Sequence, residues 1–131
     1  MLRLCELLEQ VADSLPGNVD LLKCLKIAGE LEPLVRGIHR FEEETLLPAY
    51  ERALERRGRP RVSVDRLRSE HVEDECFAGE LTEALLLLGH SGSVDNPEAL
   101  GFMLRGFFES QRRHVAFERE HVLPAIGYAD H

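Results

Sequence analysis

Apolar residues recur every three to four positions through most of the chain, which is the period of an amphipathic helix. Pro16 and Gly17 follow the first periodic segment, and Gly58 and Pro60 follow the second, as expected at helix ends. No segment alternates apolar and polar residues as a half-buried strand does. The pattern predicts an all-α chain that folds as an antiparallel up-down four-helix bundle. The four predicted helices cover residues 2–15, about 19–57, about 63–88 and about 97–127.

Single residues indicate where these helices begin or are interrupted. Pro33 lies inside the second segment, where its ring and missing N–H predict a kink or a division of the helix. Ser63 is the expected N-cap of the third helix. Residues 89–97 read as a loop, from which Asn96 caps the fourth helix with Pro97 at its first position.

Glycine is unexpectedly frequent inside the predicted helices, although each one costs about 1 kcal/mol relative to alanine there. Close packing of neighbouring helices would explain this, and so would space beside a buried ligand. The glycines concerned are Gly29, Gly37, Gly79, Gly101 and Gly106.

Composition indicates one domain over residues 1–131, with 44% hydrophobic and 31% charged residues, enough to bury a core. The net charge of −8 disfavours nonspecific nucleic-acid binding, and we interpret the arginine run at residues 55–61 as a solvated loop. No apolar run is long enough for a membrane span. Three cysteines and early acidic residues favour a reduced, cytoplasmic protein without a signal peptide.

The apolar stripes of the three long helices are interrupted by histidine and glutamate. The motif His-x-x-x-Glu occurs once in each, and its spacing of four places both side chains on one face. Unpaired buried charges are costly, so these residues need partners in the core. Glu42 also faces inward, and its role stays open, whereas Glu44, Glu120, His90 and His131 are expected in water. The interrupting residues are His39 and Glu43, His71 and Glu75, and His114 and Glu118 with His121 one turn later.

Imidazole and carboxylate form a mixed ligand set that suits iron, manganese or zinc. Six or seven such ligands exceed the need of one tetrahedral zinc and would suit two ions about 3.5–4 Å apart. A structural His–Glu network without metal is the alternative that the residues themselves leave open. The sequence therefore predicts a buried metal site shared by three helices.

Three segments resemble the hemerythrin-like, HHE cation-binding domain family over about residues 20–126. They are "HRFEEETLLPAYE" (39–51), "LRSEHVEDECFAGEL" (67–81) and "HVAFEREHVLPAI" (114–126). The resemblance implies a four-helix bundle around a non-haem di-iron centre, whose members carry, store or sense dioxygen or handle nitric oxide or iron. Its implied partner is dioxygen or another small diatomic ligand, with no membrane and no identified protein partner.

The resemblance also implies a role for each motif residue. His39, His71 and His114 would ligate iron, Glu43 and Glu118 would bridge, and Glu75 stands where hemerythrins proper have another histidine. The pocket wall would include Phe41, Leu46, Phe77, Phe107 and Phe117.

Two departures from the family pattern affect these expectations. The first predicted helix has no histidine, so either a longer N-terminus supplies it or the site lacks that ligand. Arg119 stands five residues after His114, where hemerythrins proper have an aspartate, so Glu118 must serve instead. His121 would either compensate as a ligand or stand outside the ligand set. With Glu118 it forms a Glu-x-x-His motif, which keeps a ferritin-like di-iron oxidase open beside a metal-free helical interaction module.

Overall fold

A computed structural model, which describes residues 1–127, contains four helices and no strand within that range. The predicted all-α four-helix bundle is thereby confirmed. His131 lies outside the described residues. Helix α1 covers Leu2–Ser14, and α3 covers Val62–Ser91. Helix α2 consists of Leu21–Phe41, a first π-helical stretch Glu42–Leu46, and Leu47–Arg56. Helix α4 consists of Pro97–Phe117, a second π-helical stretch Glu118–Val122, and Leu123–Ala125.

The predicted start of α4 is confirmed, whereas the predicted N-cap of α3 and its predicted end at about residue 88 are wrong. The Asn96 side chain accepts a hydrogen bond from the backbone N–H of Ala99 at 3.0 Å, and Pro97 occupies the first helical position. Helix α3 begins one residue before Ser63, whose hydroxyl instead lies 3.5 Å from the Tyr50 hydroxyl. Its other end extends into the expected loop, where Gly92 stops it with a φ of 77°.

Helix α2 is not divided at Pro33, so the expected division is wrong, whereas the expected kink stays a prediction. Pro33 is exposed, and the helix is continuous on both sides of it. A helix that packs on one face tolerates the loss of one hydrogen bond on its exposed side. The interruptions of α2 and α4 are instead the two π-helical stretches.

Each π stretch widens its helix by one residue. The carbonyl of Glu42 accepts from the N–H of Leu47, and the carbonyl of Glu118 accepts from the N–H of Leu123, both five residues later. A proline stands at the second position after each stretch, and a proline ring clashes with the carbonyl four residues earlier in a regular α-helix. Local widening relieves that clash, and such π-bulges occur frequently at functional sites.

The apolar core has two parts, separated by a polar layer. The upper core packs α1 against the first half of α2, the second half of α3 and the first half of α4. The lower core joins the last parts of α2 and α4 to the start of α3. All four buried polar or charged residues among residues 1–127 lie between these parts along their helices. They form the polar layer, which consists of His39, Glu42, His71 and Gln111.

No helix among residues 1–127 combines the length and the hydropathy that a membrane span requires.

The five glycines singled out above are not closely packed, so the close-packing explanation is wrong for them. A Cβ atom on Gly29 or Gly37 would meet no other atom within 4 Å, and the nearest contact among the five is 3.8 Å. Gly89 in α3 differs, because a Cβ there would lie 2.5 Å from the Leu25 side chain and 3.3 Å from the Leu21 carbonyl.

We expect opposite effects from alanine at two of these positions. Gly29→Ala should raise the free energy of unfolding by about 0.5–1 kcal/mol, because alanine restricts the unfolded chain and meets nothing in the folded one. Gly89→Ala should lower it by about 1–3 kcal/mol, because the added methyl group pushes against α2. Urea unfolding of both variants measures this difference, and changes of the same sign would contradict it.

Candidate metal centre

Three side chains from three helices converge in the polar layer. Glu42 begins the first π stretch of α2, His71 lies in α3, and His114 lies near the end of the α-helical part of α4. The Glu42 Oε2 atom accepts hydrogen bonds from His71 Nε2 at 2.7 Å and from His114 Nε2 at 3.2 Å. One ligand atom from each residue lies within 4.8 Å of the others. Each side chain is at most 9% exposed, so the converging atoms lie in a nearly dry environment.

A second carboxylate completes this cluster. Glu118 begins the second π stretch, and its Oε1 atom lies 2.9 Å from His114 Nε2. His114 therefore contacts a carboxylate from its own helix and one from α2. In this group, carboxylate oxygens alternate with imidazole nitrogens. We name it the central cluster, and it consists of Glu42, His71, His114 and Glu118.

Glu43 lies behind His71 rather than between the ligand atoms. Its Oε1 atom accepts from His71 Nδ1 at 3.1 Å, while the other ring nitrogen of His71 faces Glu42. A carboxylate behind a ligating imidazole fixes the orientation of the ring and increases its basicity. The position of Glu43 suits this supporting role.

His39 and Glu75 form a neighbouring pair one turn from the central cluster. The His39 ring stacks on the His71 ring, with centroids 4.0 Å apart and planes inclined by 12°. Its Nδ1 atom is buried and has no hydrogen-bond partner in the part of the chain that the structure describes, where the nearest carboxylate oxygen, from Glu75, is 3.8 Å away. The pair supplies one imidazole nitrogen and one carboxylate beside the central cluster.

His121 lies at the surface and outside the central cluster. Its side chain is 58% exposed, with the Phe117 ring 4.9 Å away and the Glu120 carboxylate 3.9 Å away. The π-helical geometry explains this position, because more residues per turn rotate His121 away from the face that bears Glu118. The α-helical spacing used in the sequence analysis does not apply there.

The aromatic and aliphatic residues expected at the pocket wall separate into three groups. Leu46 is buried and Phe41 is exposed, and both line a groove of about 380 Å³ that reaches Glu42 and Glu118. The ring centroids of Phe77 and Phe107 are 5.5 Å apart, and both residues lie on the side of the upper core. Phe117 packs on the lower core.

Hydrogen bonding opposes burial in setting the pKa values of the central cluster. Burial alone would lower the pKa of His114, but its hydrogen bonds to Glu118 and Glu42 outweigh it and raise the pKa to about 10. Burial alone would also lower the pKa of His71, but its hydrogen bonds to Glu42 and Glu43 outweigh burial and raise the pKa. Burial would raise the pKa of Glu42, but the two imidazoles hold it well below its usual range.

The two carboxylates of the central cluster have opposite shifts. Burial raises the pKa of Glu118, the hydrogen bond to His114 opposes this increase, and the neighbouring Glu42 carboxylate adds to it. Two close carboxylates cannot both ionise freely, so one retains a proton more readily. A bound cation would remove this conflict by neutralising both.

Sequence reasoning left the role of Glu42 open and did not single out Gln111. An internal repeat could have identified Glu42, because "FEEETLLPA" (41–49) and "FEREHVLPA" (117–125) share the pattern Phe-Glu-x-Glu-x-x-Leu-Pro-Ala. This alignment pairs Glu42 with Glu118, and both π stretches begin at these two residues. For Gln111 the signal was a single amide on the apolar stripe of α4.

The central cluster fits a metal ion in both chemistry and spacing. Ligands about 2.0–2.2 Å from a common ion lie about 3 Å from each other along an octahedral edge. The distances of 2.7, 2.9 and 3.2 Å between acidic oxygens and imidazole nitrogens match this spacing. The unpartnered Nδ1 atom of His39 adds a further available ligand atom beside the cluster. This donor set suits iron, manganese and zinc.

A family model described as the hemerythrin HHE cation binding domain matches residues 1–126. The match includes all four helices and every residue of the central cluster. No curated protein and no solved structure matched the chain.

Proposed function

The chain belongs to the hemerythrin HHE cation-binding family, and from this membership we propose that it holds two non-haem iron ions and binds or senses dioxygen or a related small diatomic ligand. The observation that carries the proposal is the convergence of Glu42, His71 and His114 on one point of the core. Cation binding follows from the family, whereas the identity of the metal and of its ligand belongs to the proposal.

The central cluster would hold the first ion. His71 and His114 would supply Nε2, Glu42 would supply Oε2, and Glu118 would supply Oε1. Helices α2, α3 and α4 each contribute at least one of these atoms, so the folded bundle holds the ligand set in place before binding. Glu43 would hold the His71 ring in position through its second nitrogen.

The neighbouring pair supports a second ion. His39 Nδ1 is buried and unpartnered, and the Glu75 carboxylate lies 3.8 Å from it. The His39 and His71 rings are stacked 4.0 Å apart, so the pair lies directly beside the central cluster. A carboxylate has two oxygens and can link adjacent ions, and Glu42 lies in the layer shared by both groups.

Ferrous ions held by these residues would supply electrons to dioxygen at an open coordination position. The residues around the site would control access to it. The groove that reaches Glu42 and Glu118 is lined mainly by apolar groups, including Phe41 and Leu46. Such a lining admits small uncharged molecules more readily than ions. The buried polar layer keeps bulk water from the reacting groups.

Anaerobic loading with ferrous iron, followed by metal quantification and an absorption spectrum in air, tests the proposal. We expect about two irons per chain and a charge-transfer band in the visible range. Parallel loading with zinc and manganese compares the metals. Sustained turnover of ferrous iron would instead identify an oxidase, and a chain without any bound metal would support the helical interaction module.

Glu118→Ala provides a sharper test of the stoichiometry. Removal of this carboxylate from the central cluster should reduce the content from about two irons to about one. Glu120→Ala is the matched control, because Glu120 lies in the same π stretch but its side chain is 69% exposed. Two irons per chain in Glu118→Ala would exclude Glu118 from the ligand set.

A further inference from the structure

Gln111 has a buried side-chain amide without a partner. The residue is only 2% exposed, and its Nε2 atom makes no hydrogen bond within the described residues 1–127. The other three members of the polar layer are His39, Glu42 and His71, each of which belongs to the central cluster or stacks on it. Gln111 is therefore the one member of this layer that the proposed ligand set leaves unexplained.

The position of Gln111 places it beside the candidate metal centre. It precedes His114 by three residues and Glu118 by seven, and these spacings put all three on one face of α4. Helices α2 and α4 run in the same direction in an up-down bundle. Gln111 stands three residues before His114 on α4, and His39 stands three residues before Glu42 on α2, so both lie on the same side of the central cluster. Three buried side-chain nitrogens among residues 1–127 lack a hydrogen-bond partner, namely His39 Nδ1, Gln111 Nε2 and His114 Nδ1. His39 and Gln111 thus lie on the upper-core side of the central cluster, whereas His114 belongs to the cluster itself.

The two upper-core residues that stand nearest before Gln111 on α4 have side chains without a hydrogen-bond acceptor. Phe107 and Phe108 precede it on α4, and both are fully buried in the upper core. An unpaired donor in such surroundings is costly, and an apolar side chain of similar shape would avoid that cost. Retention of an amide there indicates that the Nε2 group has a partner in the functional state.

We propose that Gln111 donates a hydrogen bond from Nε2 to a small anion, or to another electron-rich small ligand, held at the metal centre. This inference rests on the proposed function. An amide nitrogen has two hydrogens and no available lone pair, so it selects ligands with an acceptor atom. Gln111 would be a positioning residue that orients the bound ligand and increases its affinity, without ligating metal itself.

Gln111→Met tests this role, because methionine retains the length of the side chain and removes the donor. Azide titrated against the iron-loaded, ferric protein, followed by absorbance, should bind about 10- to 100-fold more weakly in the variant. The iron content should not change. The urea midpoint of the metal-free variant should be equal to or above that of the unsubstituted protein, because the variant no longer buries an unpaired donor.

The matched control is Gln10→Met, at an exposed glutamine of α1 that bonds to Lys23. It should bind azide as the unsubstituted protein does. A lower urea midpoint or failed folding of metal-free Gln111→Met would overturn the inference, because the amide would then serve the fold. Unchanged azide affinity with normal iron content would overturn the inference alone, whereas absence of iron from the unsubstituted protein would refute the proposed function as well.

Discussion

Glu42→Gln will reduce the affinity of the central cluster for iron at least about 100-fold, the largest effect expected from any single substitution. Among residues 1–127, Glu42 supplies the only atom that hydrogen-bonds to both His71 and His114. Glutamine retains the shape but removes the negative charge that balances a cation, and its amide group offers donors to imidazoles that already donate. Isothermal titration with ferrous iron under anaerobic conditions, or competition against a chelator, measures the change.

Two neighbouring glutamates provide controls for this substitution. Glu43→Gln should reduce the affinity less, by about 10- to 100-fold, because Glu43 contacts only the far nitrogen of His71. Glu44→Gln should have no effect, because Glu44 is exposed in the same π stretch. A larger loss from Glu43→Gln than from Glu42→Gln would identify Glu43 as the ligand and contradict the geometry.

The second large effect is a rise in metal affinity with pH, by about tenfold per pH unit between about pH 7 and pH 10. The pKa of His114 in the metal-free protein is about 10, so its Nε2 atom carries a proton at neutral pH. Metal binding must displace this proton, and a ligand that releases one proton gains affinity in proportion to the fall in proton concentration. Metal titrations at pH 7, 8 and 9 measure the slope, and a flat profile would contradict the proton release.

The protonation of His114 also affects the stability of the metal-free protein. The folded-state pKa of His114 lies above its ordinary value of 6.5, so its contribution is fully present below pH 6.5 and is lost as the pH rises through about 10. The contribution of Glu42 to stability depends on pH in the opposite direction. Its pKa is lowered in the folded state, so the contribution is present above pH 4.5 and is lost on acidification. The metal-free protein should therefore have a lower melting temperature at pH 10 than at pH 6.5. The melting temperature of the metal-loaded protein should fall less between these pH values.

The fold was predictable because helical periodicity extends through most of the chain. Apolar stripes at a period of 3.6 residues and the cap formed by Asn96 and Pro97 are local signals, and the structure bears them out. The interruptions of the stripes by His71 and His114 also indicated buried polar groups correctly, since both lie in the central cluster. These features depend on regular α-helix geometry, which holds at those two positions.

The parts of the site that the sequence did not predict lie where that geometry fails. The His-x-x-x-Glu spacing selected Glu43, yet the structure points Glu42 into the central cluster at the start of a π stretch. The Glu-x-x-His spacing gave His121 a possible ligand role, yet the second π stretch rotates it to the surface. Both stretches precede a Leu-Pro pair. The proline favours local widening of the helix, and this widening rotates the side chains on which the prediction depended.

Gln111 was missed for a different reason. One glutamine on an apolar stripe has no spacing partner in the sequence, and only the surrounding burial shows that its amide is isolated. Tertiary packing supplies this information, because the 2% exposure of Gln111 depends on neighbours that local spacing does not identify.

Anomalous diffraction at the iron absorption edge, from crystals of the iron-loaded protein, tests the central claim most directly. The account predicts an anomalous peak in the polar layer, about 2.0–2.3 Å from Glu42 Oε2, His71 Nε2 and His114 Nε2. Iron located only at surface carboxylates, with these three side chains still hydrogen-bonded to each other, would contradict it.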